Sequence, residues 1–376
     1  MKKEIPKSNL LIFSLWFIIL IVFQILGSDI KAFDSSNIYQ FGGDTERFLR
    51  LRDGIIEFTF SNDRSVFYFG YSLFLALFKI FNLDFNFVVL GQCIATIISA
   101  ICLQKIYLKA GNNRPEIILM IFLFYIPIQM RNFYILSDSL FVSFSIITFY
   151  YFIKEKNFKN IILFLLISLF TFTIRPHGIL MLLLIIFYFY EIIPKNNKSY
   201  RYIFLIFLSF SFLIFLNFYL SNTTRNYFYI SGEVIFGYKD IIVEYNDLPK
   251  NLIEKSVIYQ NVFLLFNYPI ESTKLYLYKI FFYISGIRPY YSLMHNSLEF
   301  LYTFSIFIIG ITSYFLSKKN KIKNFMMMIV ILSILGSLIT GPDWSGRYRM
   351  YIMPFIFILA SEFIENFLKR KFININ

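Results

Sequence analysis

Cysteine and histidine are almost missing from this chain. Its 376 residues include two cysteines and two histidines. No His/Cys/Asp spacing resembles a tetrahedral metal site, which so few histidines could not furnish. Cys93 and Cys102 share one apolar span and would lie roughly 13 Å apart along a helix axis, too far for a disulfide. They say nothing about redox compartment. Charge is also scarce, at 16% of residues. There is no phosphate-cradling glycine loop, no Ser-His-Asp set and no nucleotide fingerprint. No internal repeat or useful low-complexity linker is visible.

Apolar surface is what the chain has in excess. It is 57% hydrophobic and 21% aromatic, with 50 Phe. A soluble domain could not hide that much in one core. Stretches near the roughly 20 residues needed to span a bilayer fall at 9–27, 86–106, 115–131, 137–153, 160–175, 177–193, 202–220, 297–316, 324–341 and 350–367. A few are short and require a thinned or protein-lined region. The stretch 66–82 is also apolar, and lysine placement decides how to count it. If it lies in the membrane plane or re-enters, every basic connection falls on one side: Lys2/Lys3/Lys7, Lys105/Lys109/Arg114, Lys154/Lys156/Lys159, Lys195/Lys198/Arg201, Lys318/Lys319/Lys321/Lys323 and Lys369/Arg370/Lys371. Counted as a full span, it would put most of them outside. The charge rule therefore predicts an all-α polytopic membrane protein of about ten helices with both termini cytoplasmic. The net charge of +13 reads as a topology signal, not a nucleic-acid footprint. Met1-Lys2-Lys3 and the following apolar run resemble a signal peptide. The run is long, however, and Gly27-Ser28-Asp29 is a poor cleavage site, so an uncleaved first helix is expected.

This topology makes residues 1–376 a single membrane domain and sends the unusual residues outward. The first outer segment, 28–82, carries Asp29, Asp34, Asp44, Glu46, Asp53, Glu57 and Asp63 with Arg47, Arg50, Arg52 and Arg64. Later outer turns carry Ser137-Asp138-Ser139, Arg175-Pro176-His177-Gly178 and Gly341 to Arg349. A long outer loop, 221–296, is rich in Tyr, Asn and Lys.

Asp44 and Glu46 are two residues apart and cannot form a dyad on one helix face. One of them can act alone as a general base on an acceptor hydroxyl, or both can be solvated acids answering Arg47 and Arg50. Ser137 or Asp138 is expected to cap the helix that follows. Arg175 ends an apolar run before Pro176, either snorkelling to the interface or holding a phosphate with its planar fork. Arg347 and Arg349 flank Tyr348 on the side where the charge rule disfavours them, which points to an anionic ligand. His177 is as readily a packed polar residue as a ligand.

These segments resemble the GT-C glycosyltransferases, the polytopic group that includes protein O-mannosyltransferases and the lipid A aminoarabinose transferase. Gly43-Asp44-Thr45-Glu46-Arg47-Phe48-Leu49 and Phe69-Gly70-Tyr71-Ser72-Leu73-Phe74-Leu75-Ala76-Leu77 match the family's first-loop pattern. Leu136-Ser137-Asp138-Ser139-Leu140-Phe141, Arg175-Pro176-His177-Gly178-Ile179-Leu180 and Arg347-Tyr348 through Pro354 match later motifs. The matches keep the family order across most of the chain, though each is short and degenerate. Phe48 stands where tyrosine is usual, Phe69 and Ser72 replace prolines, and Asp138 replaces a frequent Glu. The C-terminal soluble domain of larger members is missing.

The resemblance implies in-plane helices in the first outer loop. It also implies an inverting transfer of a hexose or pentose from a polyprenyl-phosphate donor to a lipid, glycan or protein acceptor. The reaction would run at the outer face of a bacterial plasma membrane, in envelope polysaccharide synthesis. Asp44 would be the general base, Glu46 and Asp138 would support the acceptor or a metal, and Arg175, Arg347 and Arg349 would bind the donor phosphate. Arg47, Tyr71 and His177 are further candidates. No cofactor is required by the resemblance, and a divalent cation is left open. An O-antigen or exopolysaccharide polymerase shares the plan. A transporter or flippase would want charge at mid-membrane and broken, repeated helices, and the spans are almost free of such charge. A scaffold would leave Asp44 replaceable.

Overall fold

The computed structural model describes residues 7–27, 40–59, 67–192, 230–343 and 346–373, with scattered helical positions between 199 and 217. Asp29, Asp34, Asp63, Arg64, the stretch 221–229 and much of the expected span 202–220 lie outside the described residues. The described chain is mostly helical, as expected of an all-α membrane protein. Among the described residues three helices are long and apolar enough to cross a membrane: Phe85–Lys109, Leu293–Leu316 and Lys321–Thr340. A bent pair, Pro115–Leu123 with Ile126–Phe133, brings the count to four if it is one span. Length and composition thus do not establish ten. Other helices coincide with expected spans but are shorter. A 16-residue helix covers about 24 Å at 1.5 Å per residue, against ~30 Å of hydrocarbon.

The chain divides into two compact units. In the first, the helices in order are α1 (Lys7–Gly27), α2 (Thr45–Glu57), α3 (Phe69–Ile80), α4 (Phe85–Lys109), α5 (Pro115–Leu123), α6 (Ile126–Gln129), α7 (Ser137–Phe152) and α8 (Phe158–Ile174). α7 is the centre: nearly all its residues are buried, and it packs on α4 and α8. Small polar residues line these contacts. Thr96 Oγ1 on α4 lies 3.5 Å from Ser143 Oγ, and Thr148 Oγ1 lies 2.9 Å from Thr171 Oγ1 on α8. Such residues let apolar helices approach closely.

The expected span 115–131 is broken. Pro127 cannot donate to a helix and disfavours helical backbone before it, so α5 and the following segment bend by 60°. Buried amides satisfy the freed backbone there. Gln92 Nε2 donates to the carbonyls of Asn132 at 2.7 Å and Tyr134 at 3.1 Å, and Gln129 Nε2 to that of Phe122 at 2.8 Å.

One end of this unit gathers basic connections. Lys109 Nζ donates to the Ile153 carbonyl, and Asn320 Nδ2 to that of Ala110. The C-terminal helix joins them. Glu362 pairs with Lys323 at 2.5 Å. Glu365 accepts from Tyr107 and from the Asn113 and Arg114 amides. Four of the six lysine-rich connections named above therefore meet at the end where α7 stops and α8 starts.

The second unit holds most of α9 (Ile179–Ile192) and a part of the chain read from sequence as a long outer loop. That part is folded. An antiparallel hairpin, β1 (Glu233–Ile235) with β2 (Tyr238–Ile242), turns at Gly237. Val234, Ile235 and Val243 pack on Leu275 and Phe282. These two belong to α11 (Pro269–Ser285), which follows α10 (Val257–Asn267). α12 (Leu293–Leu316) carries a π-helical turn at Phe300–Phe304. α13 (Lys321–Thr340) and α14 (Arg347–Met350) follow, and α15 (Met353–Ile373) belongs to the first unit.

Candidate functional site

Pro176 fixes the geometry around Arg175. The residue before a proline is driven from helical to extended backbone, and Arg175 ends α8 at φ −151, ψ 153. The chain then turns through Pro176–Gly178 and folds back on α8. A Cβ on Gly178 would come within 2.6 Å of Phe172 Cα, so only glycine fits there without backbone movement. This turn directs the Arg175 side chain inward, where its guanidinium pairs with the Asp138 carboxylate. Both residues are buried, and the snorkelling alternative for Arg175 does not hold.

The expected cap is corrected as well. The residue preceding α7 is Leu136, and no side chain caps the helix. Asp138 lies inside the first turn, near the positive end of the helix dipole, and is turned to the arginine instead.

Two more motifs lie against this pair. Gln40 and Tyr134 form a parallel backbone bridge: Gln40 N donates to the Phe133 carbonyl and Ile135 N to that of Gln40, each at 2.8 Å. The Thr45 hydroxyl donates to the Ile135 carbonyl at 2.9 Å and accepts from Gly42 N at 2.8 Å. The segment carrying Asp44 is thus laced to the strand-like residues just before Ser137-Asp138. Ser72 Oγ on α3 donates to the Phe48 carbonyl on α2 at 3.1 Å. Gly70 packs on Thr173 and Ile174, the residues leading into Arg175. Tyr71 is fully buried, with its ring edge-on to Phe48 at 5.1 Å and its hydroxyl 3.3 Å from Gln92 Oε1. Burial, with the Asp138 carboxylate adding to it, pushes the Tyr71 phenol well above its ordinary range. It stays a neutral donor.

Asp44 precedes α2 without using its side chain as a cap. It is partly exposed and stands 3.9 Å from Arg47. α2 buries Thr45, Phe48, Leu51 and Gly54, a three-residue repeat that leaves Glu46, Arg50 and Glu57 exposed. Glu46 therefore faces away from the row that packs on the unit. Asp53 accepts from Arg52 at 2.7 Å and from Lys79 at 2.8 Å, tying α2 to α3. His177 is half-buried in the turn after Arg175.

Arg347 and Arg349 belong to the second unit and pair with carboxylates there. Asp343 accepts from the Arg347 and Tyr348 amides, both at 3.0 Å, and lies 3.5 Å from Arg347 Nε. Arg349 Nη2 is 2.5 Å from Glu299 Oε2. Its guanidinium lies where a side chain on Gly286 would project.

A third arginine, Arg288, escaped the sequence reading. It is 1% exposed. Its donors hold the carbonyls of Asp343 (2.9 and 3.2 Å), Phe282 (2.7 Å) and Ile287 (2.8 Å). The available signal was Arg288-Pro289, the same dipeptide that places Arg175. Three arginines and two carboxylates thus meet in this cluster.

Among the described residues no three His, Cys, Asp or Glu side chains come together to hold a metal ion. Asp138 is committed to Arg175 and Glu46 faces outward, so these donors do not fit a divalent cation. Compared with protein-family models, curated proteins and solved structures, the chain matches none.

Proposed function

We propose that this chain is an inverting GT-C-type membrane glycosyltransferase that uses a polyprenyl-phosphate sugar. The observation that carries the reading is convergence. Gly43–Leu49, Phe69–Leu77, Leu136–Phe141 and Arg175–Leu180 are scattered over the first half of the sequence. All four meet at one end of the first unit, through the Gln40–Tyr134 bridge, the Thr45 and Ser72 hydroxyls, the Gly70 contact and the Asp138–Arg175 pair. That end is opposite the lysine-rich connections along α7 and α8. By the charge rule the lysines mark the cytoplasmic side and the motifs the outer face.

In this reading about ten helices cross the membrane and both termini are cytoplasmic. α3, a 12-residue apolar helix of about 18 Å, is too short to cross and lies with α2 in the membrane plane. Asp44 takes the proton of the acceptor hydroxyl as its oxygen attacks the anomeric carbon. The bond from that carbon to the lipid phosphate breaks, and its electron pair leaves with the phosphate. Asp44 keeps some solvent access, with Arg47 at 3.9 Å. The buried Asp138–Arg175 pair positions the floor on which the Asp44 segment rests. Arg347 and Arg349 keep the role of offsetting charge on a lipid phosphate. A polysaccharide polymerase is the second reading, favoured by the concentration of Arg288, Arg347 and Arg349.

The test is Asp44→Asn in cells, comparing surface glycans and accumulated polyprenyl-phospho-sugar at equal membrane protein level. Loss of a glycan with donor build-up supports the transferase. An unchanged glycan profile, when deletion of the whole chain alters it, removes Asp44 and shifts the weight to the polymerase.

A further inference from the structure

α10 and α11 fall in the segment expected to be an aqueous outer loop, yet their free face is apolar. Tyr259, Val262, Phe266, Ile270, Leu277 and Phe281 are exposed at helical spacing, with Phe266 80% and Ile270 78% accessible. Around Pro269 the face opens into a shallow groove with Thr273 and Lys274 on its rim. Water is a poor partner for so continuous a patch.

The opposite face of α11 shows what covers it. There α11 packs on the π-helical turn Phe300–Phe304, about ten residues into α12, or roughly 10–16 Å from its start. Lys279 Nζ donates to the Leu338 carbonyl at 2.9 Å, and the Tyr283 hydroxyl lies 2.5 Å from Ser333 Oγ, both on α13. α12 and α13 are two of the three helices able to cross a membrane. A helix docked alongside them at that depth shares their solvent. Leu301 and Ile308 on α12, and Ile331 and Leu335 on α13, are exposed apolar residues as well.

We propose that α10 and α11 are seated in one leaflet of the bilayer, with this stripe against acyl chains and Lys274 reaching the anionic headgroups. Lys274 lies 5.9 Å from the Tyr278 ring, and an aromatic beside a lysine suits the interface. The long flexible stem carries the ammonium out while its methylenes stay in lipid. This assignment rests on the membrane reading of the chain.

The experiment uses the full-length protein in nanodiscs of phosphatidylcholine and phosphatidylglycerol, in a Cys93→Ala/Cys102→Ala background. Nitroxide labels go on Phe266→Cys, Ile270→Cys and Leu277→Cys. Glu254→Cys serves as the water reference and Leu335→Cys as the lipid reference. Thr273→Cys replaces any stripe variant that does not purify as a single species. The expected result is a several-fold higher ratio of oxygen to nickel-chelate collisions at the stripe than at Glu254, close to that at Leu335. A stripe ratio equal to that of Glu254, with Leu335 in lipid, overturns this proposal alone. Water exposure at both the stripe and Leu335 overturns the membrane reading with it. A stripe closed to both reagents, with spin–spin broadening between molecules, overturns it in favour of a second copy.

Discussion

The Asp138 carboxylate and the Arg175 guanidinium, 37 residues apart in sequence, form an ion pair closed to solvent between the start of α7 and the end of α8. Removing one member of such a pair leaves an uncompensated buried charge, which costs about 3–5 kcal/mol, whereas replacing both with apolar residues is often neutral. Arg175→Met should therefore lower the thermal midpoint in detergent sharply, and Asp138→Leu/Arg175→Met should recover most of the loss. If the chain is a transferase and the pair only positions the Asp44 segment, activity should return together with stability in the double variant.

The Gly286 position tests the arginine cluster. Its φ is +75°, and a side chain there would meet the Arg349 guanidinium. Gly286→Ala carries a left-handed penalty of about 1–2 kcal/mol and displaces Arg349 from Glu299. The double variant Gly286→Ala/Arg349→Ala should be less destabilised than the two single effects summed, since the second change relieves the clash of the first. Additive unfolding midpoints would show that the two residues do not share a contact.

Acid should loosen the turn before α14. Burial alone would raise the Asp343 carboxyl, but the Arg347 charge, the Tyr348 amide, the Arg288 charge and the Arg347 amide together hold it down to about 2. A group with a depressed folded value contributes stability that is fully present above its unfolded value and disappears as pH falls through the folded one. Stability from this source should be constant above about pH 5 and decline between about pH 4 and 2. Asp343→Asn should flatten that part of the thermal midpoint against pH, and an unaltered slope would reject the assignment.

Residues 115–131, 137–153 and 221–296 show where the sequence was informative and where it was not. Apolar runs located the helices well, because burial of apolar surface is a local property of composition. α7 (Ser137–Phe152) falls almost on its expected stretch. The runs did not give helix lengths, because a single Pro127 splits one into two helices that bend by 60°. Asp138 looked like a cap because Ser-Asp-Ser is a local signal, while its actual partner lies on another helix. Arg288 was passed over because its partners are main-chain carbonyls, which leave no trace in side-chain patterns. The hairpin around Gly237 was legible in principle: Val234-Ile235 and Ile241-Ile242-Val243 flank a glycine turn.

Asp44 separates catalysis from stability more cleanly than any other candidate. Its side chain does not cap α2, is partly exposed and lies 3.9 Å from Arg47, a surface ion pair of the kind worth little. Asp44→Asn should therefore leave the unfolding free energy within about 0.5 kcal/mol of the parent. If Asp44 is the base, the amide cannot accept the acceptor's proton, and turnover of a polyprenyl-phospho-sugar in proteoliposomes should fall about 10²–10⁴-fold. The fall should appear in kcat, with the donor KM little changed, because the lost function operates at the moment of attack. Glu46→Gln, on the exposed face of α2, should leave kcat near the parental value. Equal losses at Asp44 and Glu46 would mean that the acidic segment acts through its overall charge, and the single-base mechanism would have to be given up.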